Sequence, residues 1–473
     1  MESPSDRMDA AIALKASGSL AVIADDGLEL TYADLVTRVD DFAGRIPRRS
    51  VVMVLTTRRL PALVGVIACL SRDLVLLPVD AGLDADRVKR LVDGYRPDFL
   101  WRPDGGGYVL DDLRGSRGDR PDPHPDLALL LSTSGSTGHP KMVRISGANV
   151  RANAAAIASC LGLVPSDRYI STLPLDHTYG ISMVTASLQA GAAILVTERT
   201  PVQREFWEFF RQAGASVMGG VPYSYEMLRR LGFLRRQLPS LRVLSAAGGK
   251  WPDGLQREFA AYAAREGKSL VLMYGQSEAT ALMASLSADR AAERIGSIGT
   301  GCGGRLRLVG DGREEIVAPG VTGEIVFSGP GVSLGYAESG ADLARGDERG
   351  GSLASGDLAK YDEDGFLYVV GRRRHALEER IEDVVLARKE LGRGHVLVHD
   401  HHDRTAHDEL VVDRIADELQ RLVERDVARR DRRNRRKAVG RTRGFAAFGV
   451  GREVIGLLLL GRLLLDCALR RLE

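Results

Sequence analysis

LALLLSTSGSTGHPKMV, residues 127–143, is an apolar run that ends in a turn of glycine and hydroxyl residues closed by Pro140 and Lys141. The run Leu127 to Leu131 predicts a buried strand. Thr133, Ser134, Gly135, Ser136, Thr137 and Gly138 follow it. Glycines let the backbone turn tightly and bring amide N–H groups close to an anion. The hydroxyls add neutral donors, and Lys141 adds a positive charge. A polyphosphate needs that chemistry. The GxxxxGK[ST] spacing of kinases and GTPases is absent, so the loop is not of that kind. A flexible Ser/Gly linker shares the composition, but linkers rarely follow a buried strand and end in Pro-Lys.

Strand and helix patterns alternate on both sides of this stretch, up to about Gly371. VVMVL (51–55) and LVLLPV (74–79) predict buried strands, with a helix in PALVGVIACL between them. ILV (194–196), SVMGGV (216–221), LRVLSAA (241–247) and LVLMYG (270–275) repeat the theme, separated by helical segments such as REFWEFFRQAG. The expected fold class is α/β: a large N-terminal region of parallel-rich sheets flanked by helices. From Glu314 onward EEIVAPG, GEIVFSG and GFLYVVG are short strands punctuated by Gly and Pro, which predicts a small β-rich subdomain. The division expected is residues 1–371 and 372–473.

Composition narrows the function classes. The 473 residues, 44% hydrophobic, suffice for two or three domains. A net charge of +2 with both signs abundant gives no bulk argument for nucleic acid or an anionic membrane. Cys69, Cys160, Cys302 and Cys467 are far apart with no CxxC pair, which suits a reducing compartment and argues against a disulfide scaffold or a structural zinc site. MESPSDRMDA has no signal-peptide pattern, and Arg462 and Asp466 interrupt the most apolar run, Val454 to Leu469. A cytoplasmic protein without a transmembrane segment is the expectation.

TSGSTGHPK resembles the signature of the adenylate-forming superfamily, and further motifs of that family follow in its order. They are LTYADL (30–35), PLDHTYG (174–180), GVPYSYEML (220–228), LSAAGGKWP (244–252), YGQSEAT (274–280), GSIG (296–299), GEIVFSGPGVSLGY (323–336), SGDLA (355–359) and DGFLYVVGR (364–372). The resemblance implies ATP- and Mg²⁺-dependent activation of a carboxylic acid as acyl-AMP, with release of pyrophosphate. Transfer to a thiol of coenzyme A or of a phosphopantetheine-bearing acyl carrier protein would follow. Residues Thr133 to Gly138 and Lys141 would then hold the β- and γ-phosphates, and Glu278 the Mg²⁺. Ser277 would lie next to the α-phosphate. Tyr274 and Gly275, with Gly248 and Gly249, would line the adenine. Asp357 would anchor the ribose, supported by Arg372, and His177 would sit between the acid and the phosphates. Thr178 stands where amino-acid-selecting members carry an aspartate, so the resemblance implies an acid without an α-amino group. Tyr179, Val221, Tyr223 and Met273 are candidate pocket lining, with Tyr223 equally readable as core.

The resemblance breaks down after Arg372. The family continues with a DxxIKxxGxRV-like hinge and ends with a lysine in a PxxxxGK context. Here GRRRHALEERIEDVV follows, and the later lysines, Lys389 and Lys437, lie in no such setting. Six of the nine histidines fall between His375 and His407, and ten arginines between Arg421 and Arg443. The segment is read as a reduced or degenerate C-terminal α+β domain. A diverged domain in which a basic residue such as Lys437 still serves, a degenerate one and a damaged reading frame all remain open for it. The alternative function is a non-catalytic adenylate-binding homologue that acts through partner contacts.

Overall fold

The computed structural model describes residues 18–132, 141–310, 312 and 314–373. The chain divides into two units, Met1–Ala376 and Leu377–Glu473, and every described residue belongs to the first. The glycine- and hydroxyl-rich loop from Thr133 to Gly138 and the expected C-terminal domain lie outside the described residues.

Three sheets make up the body. The first has seven strands, in the spatial order Gly335–Ala337, Met142–Ser146, Leu127–Ser132, Val75–Asp80, Val51–Thr56, Phe99–Asp104 and Gly107–Asp112. Its centre is parallel, and its outer pairings are antiparallel. The second has nine strands: Thr300–Gly301, Ala284–Leu286, Ser269–Tyr274, Val243–Ala246, Val217–Gly220, Arg168–Ile170, Ala193–Val196, Leu20–Ala24 and Glu29–Thr31. It too is parallel except at its edges. The third is the expected β-rich subdomain, an antiparallel sheet ordered Glu315–Ile316, Arg305–Val309, Thr322–Ser328, Ser352–Tyr361 and Leu367–Arg372.

Alternation along single strands shows why the two large sheets are sandwiched. Val52 and Val54 face one core while Val51 and Met53 face another. In the nine-stranded sheet Val217, Val243 and Val271 point one way, and Met218, Leu244, Leu270 and Leu272 the other. Side chains two apart share a face, so a strand apolar on both faces must be covered on both. The shared core takes in the helices Leu60–Ser71, Gly147–Leu161 and Thr178–Ala190 together with one face of each large sheet. The helix Leu60–Ser71 is apolar all round and almost wholly buried, as a helix between two layers must be.

One pair of cysteines comes together in the fold, a single bridge and not a disulfide scaffold. Cys160 and Cys302, 142 residues apart, are disulfide-bonded. Their spacing gives no hint of it, because tertiary packing alone brings the turn near Gly303 against the helix Gly147–Leu161: a Cβ on Gly303 would lie 3.0 Å from that of Ala156. Cys69 is a buried free thiol. Among the described residues no helix is long and apolar enough to cross a membrane.

Candidate functional site

The site is built around one short loop. Strand Ser269–Tyr274 ends at Tyr274, the chain makes a tight 3-10 turn over Ser277–Ala279, and Met283 N–H returns to the Tyr274 carbonyl at 2.9 Å. Two residues make so tight a return possible. A Cβ on Gly275 would lie 1.4 Å from the Ala281 carbonyl oxygen, so only glycine fits. Thr280 takes a left-handed conformation, φ 64°, and is held there from two sides. Its hydroxyl donates to the Gly331 carbonyl at 2.7 Å, and its own carbonyl accepts from the Thr178 hydroxyl. Leu282 N–H donates to Asn153 Oδ1 at 3.1 Å, and Ser333 N–H to the Glu278 carbonyl at 2.9 Å. The loop is thereby tied to two helices of the shared core and to the segment that leads into the strand Gly335–Ala337.

Two groups of side chains meet on this loop. At its start the Tyr274 hydroxyl donates to Asp357 Oδ2 at 2.6 Å, and Arg372 Nε lies 2.8 Å from Asp357 Oδ1. Asp357 and Arg372 face each other in register on neighbouring antiparallel strands, so the sheet itself sets the ion pair. Asp357 is 6% exposed, and its backbone N–H donates to the Ser355 hydroxyl. Burial, and after it the charge of Asp357, pushes the Tyr274 hydroxyl far above its ordinary range, so it remains a donor. Four residues on, Glu278 Oε1 accepts from the Tyr336 hydroxyl at 2.7 Å. The Lys141 ammonium lies 4.1 Å from the centre of the same Tyr336 ring and 3.8 Å from Glu338.

The remaining candidates are arranged around these groups. Gly248, at φ 81°, and Gly249 follow the strand Val243–Ala246, which runs parallel to Ser269–Tyr274; the two glycines pack against Val221 and Pro222. Ser277 opens the 3-10 turn. His177 caps the helix Thr178–Ala190: its Nδ1 accepts from Tyr179 N–H at 3.4 Å, and its ring is exposed. Of the lining candidates, Tyr179 and Met273 are buried and Val221 is half-buried. Tyr223 is 77% exposed, so the core reading of that residue is wrong; it sits in the first turn of Pro222–Arg230, whose buried residues are Tyr225 and Leu228. The Tyr179 hydroxyl pairs with that of Ser245 at 2.9 Å.

Tyr336, Ser355 and Thr280 escaped the sequence reading as individual site residues. Each lies inside a quoted motif, and the tyrosine of GVSLGY was the available signal.

Among the described residues no group of three or more His, Cys, Asp or Glu could hold a metal ion. Glu278 offers a single carboxylate. That donor set fits Mg²⁺, which is usually held by one or two carboxylates together with substrate phosphates and water.

Comparison with known proteins matches residues 10–337 to a family model described as AMP-binding enzyme. The chain is 34% identical over 270 residues to the sulfoacetate–CoA ligase of Cupriavidus necator, covering 56% of this chain and 51% of the relative. It is 32% identical over 251 residues to the 2-succinylbenzoate–CoA ligase of Bacillus licheniformis, covering 52% and 50%. The chain thus spans about half the length of the curated relatives it matches. Its fold is like that of the o-succinylbenzoate CoA synthetase of Bacillus subtilis in complex with its acyl-adenylate intermediate. The TM-score is 0.64 at 24% identity, over 79% of both chains.

Proposed function

We propose, on the premise that this chain belongs to the AMP-binding enzyme family, that it activates a carboxylic acid as an acyl-adenylate and passes the acyl group to a thiol. The observation that carries this reading is that a single rigid loop, Tyr274 to Thr280, holds both the Asp357 group and the Glu278 group.

The two groups suit opposite ends of ATP. A carboxylate has about four lone-pair positions. Tyr274 and Arg372 use one on each oxygen of Asp357, which leaves acceptors for both ribose hydroxyls. Tyr274, Gly275, Gly248 and Gly249 then flank the base, and Arg372 supports the sugar. At the other end Lys141 brings positive charge to the β- and γ-phosphates, with the glycine and hydroxyl residues Thr133 to Gly138 just before it in the sequence. Glu278 would hold Mg²⁺, which when bound neutralises charge on the departing pyrophosphate. Ser277 lies between the two ends, beside the α-phosphate.

In the first step a carboxylate oxygen of the acid attacks the α-phosphorus. The bond to the α,β-bridging oxygen breaks, and pyrophosphate leaves with the electron pair. Both reactants are anionic, so the residues act by neutralising charge and holding the attack in line. In the second step a thiolate of coenzyme A or of a carrier protein's phosphopantetheine attacks the acyl carbonyl and AMP departs. The exposed His177 stands at the head of the helix between the acid and the phosphates. The Thr178 hydroxyl is engaged by the Thr280 carbonyl and carries no charge to pair with an ammonium, which favours an acid without an α-amino group.

The test is pyrophosphate release with a panel of carboxylic acids. Release that disappears in Lys141→Ala and Asp357→Ala supports activation. A second reading, a nucleotide binder without turnover, has its own support in the departure of residues 373–473 from the family's pattern. Binding of ATP without release, for every acid, selects it.

A further inference from the structure

Arg144 is a fully buried cation, and all five of its N–H donors have partners. Nε donates to the Tyr336 carbonyl at 3.0 Å and Nη2 to the Leu334 carbonyl at 3.2 Å. Nη1 donates to the carbonyls of Arg345 and Gly346. Glu348 closes the set, 2.7 Å from Nη2. Glu348 N–H also donates to the Leu334 carbonyl at 2.9 Å. One guanidinium thus clamps residues 334–336 against residues 345–348. Both segments arrive at the site with little freedom left.

Each clamped segment presents a side chain there. Tyr336 gives its hydroxyl to Glu278 and its ring to Lys141. Arg349, immediately after the clamp, places its guanidinium carbon 4.8 Å from the centre of the same ring. Its backbone is held by Asp347, whose Oδ1 accepts the Arg349 N–H at 2.8 Å. Its Nε is buried and has no hydrogen-bond partner among the described residues. The contrast with Arg144 is informative. Arg349 brings an unmatched donor and a positive charge to a ring that already carries Lys141; Arg236 over Trp207 and Arg294 over Phe366 also have an unfilled Nε, but among the described residues no second cation shares those rings. Two cations on one aromatic ring repel each other; the exposed Glu338, 3.8 Å from Lys141, offsets part of this, and an anion bound by both cations would remove more.

We infer that Tyr336 and Arg349 belong to the phosphate end of the nucleotide site: Tyr336 positions Glu278 and Lys141 through one ring, and Arg349 binds the pyrophosphate portion of ATP. The inference rests on the ATP-binding reading above and adds to it a second cation and the residue that sets the spacing.

The test is titration calorimetry on the full chain with two probes, α,β-methylene-ATP with Mg²⁺ and AMP alone, which lacks the β- and γ-phosphates. Arg349→Ala is expected to weaken α,β-methylene-ATP about tenfold, the loss of one charge-assisted contact, and to leave AMP unchanged. Arg349→Lys restores part of the affinity. Tyr336→Phe keeps the ring but loses the donor to Glu278; it raises the Mg²⁺ concentration needed for half-maximal α,β-methylene-ATP binding without touching AMP. Thermal melting of each variant checks that the fold survives. Equal losses for both probes, or none for either, overturn this inference and leave the ATP site standing. A wild-type chain that binds neither probe overturns both.

Discussion

Replacing Asp357 with alanine separates the carboxylate's work in the fold from its proposed work on a nucleotide. In the fold it has two partners. Tyr274 is half-buried, and a hydrogen bond from its hydroxyl to a carboxylate contributes about 1.5–3 kcal/mol. The Arg372 side chain is 62% exposed, so water and salt reduce its ion pair with Asp357 to about 0–1 kcal/mol. Loss of both predicts a stability deficit of about 1.5–4 kcal/mol, most of it from the stranded tyrosine hydroxyl. The nucleotide term is separate. Two ribose hydroxyls donating to a charged acceptor are together worth about 3 kcal/mol or more, a weakening of AMP binding of about a hundredfold. Tyr274→Phe is the matching control. It removes the same hydrogen bond, and so a similar part of the stability, but leaves the carboxylate for the proposed ribose contact; the expected loss of AMP affinity is less than about tenfold. Urea unfolding measures the first quantity and AMP titration the second. The reasoning fails if Asp357→Ala binds AMP within about threefold of wild type, or if Tyr274→Phe loses as much affinity as Asp357→Ala.

Two further outcomes follow from the geometry. Gly275→Ala would drive a methyl group into the Ala281 carbonyl; nucleotide binding should be lost and melting lowered, and an unchanged melt with full binding would show that the Tyr274–Met283 return is not needed. Burial, with a smaller contribution from the charge of Asp80, raises the Asp176 carboxyl above its ordinary 3.8. The folded chain therefore holds this proton more tightly than the unfolded chain, and stability from this group is full below the unfolded value and falls as pH rises through the raised one. Asp176→Asn should flatten that slope in unfolding measured across the acid range; a slope unchanged by the substitution refutes the assignment.

Much of the architecture was legible in the chain because it depends on local pattern. VVMVL and LVLLPV are apolar at every position and so must be covered on both faces, which is where the shared core and its neighbour lie. The glycine-punctuated strands after Glu314 lead directly to the antiparallel third sheet. Tyr274, Glu278 and Asp357 could be singled out because the motifs that carry the family resemblance are short and contiguous. Other features required the folded chain. Tyr336 reaches Glu278 across 58 residues, Tyr274 reaches Asp357 across 83, and Arg144 reaches Glu348 across 204. The disulfide joins Cys160 to Cys302 across 142.

Periodicity, turn residues and the order of motifs therefore determined the layers of this protein and the loops that carry its polar groups, since each is a property of residues close together in the chain. Which of those groups meet was decided only by the packing of three sheets around one loop. A buried guanidinium with five filled donors and a tyrosine shared by a carboxylate and two cations are contacts between distant segments, and spacing along the chain does not encode them.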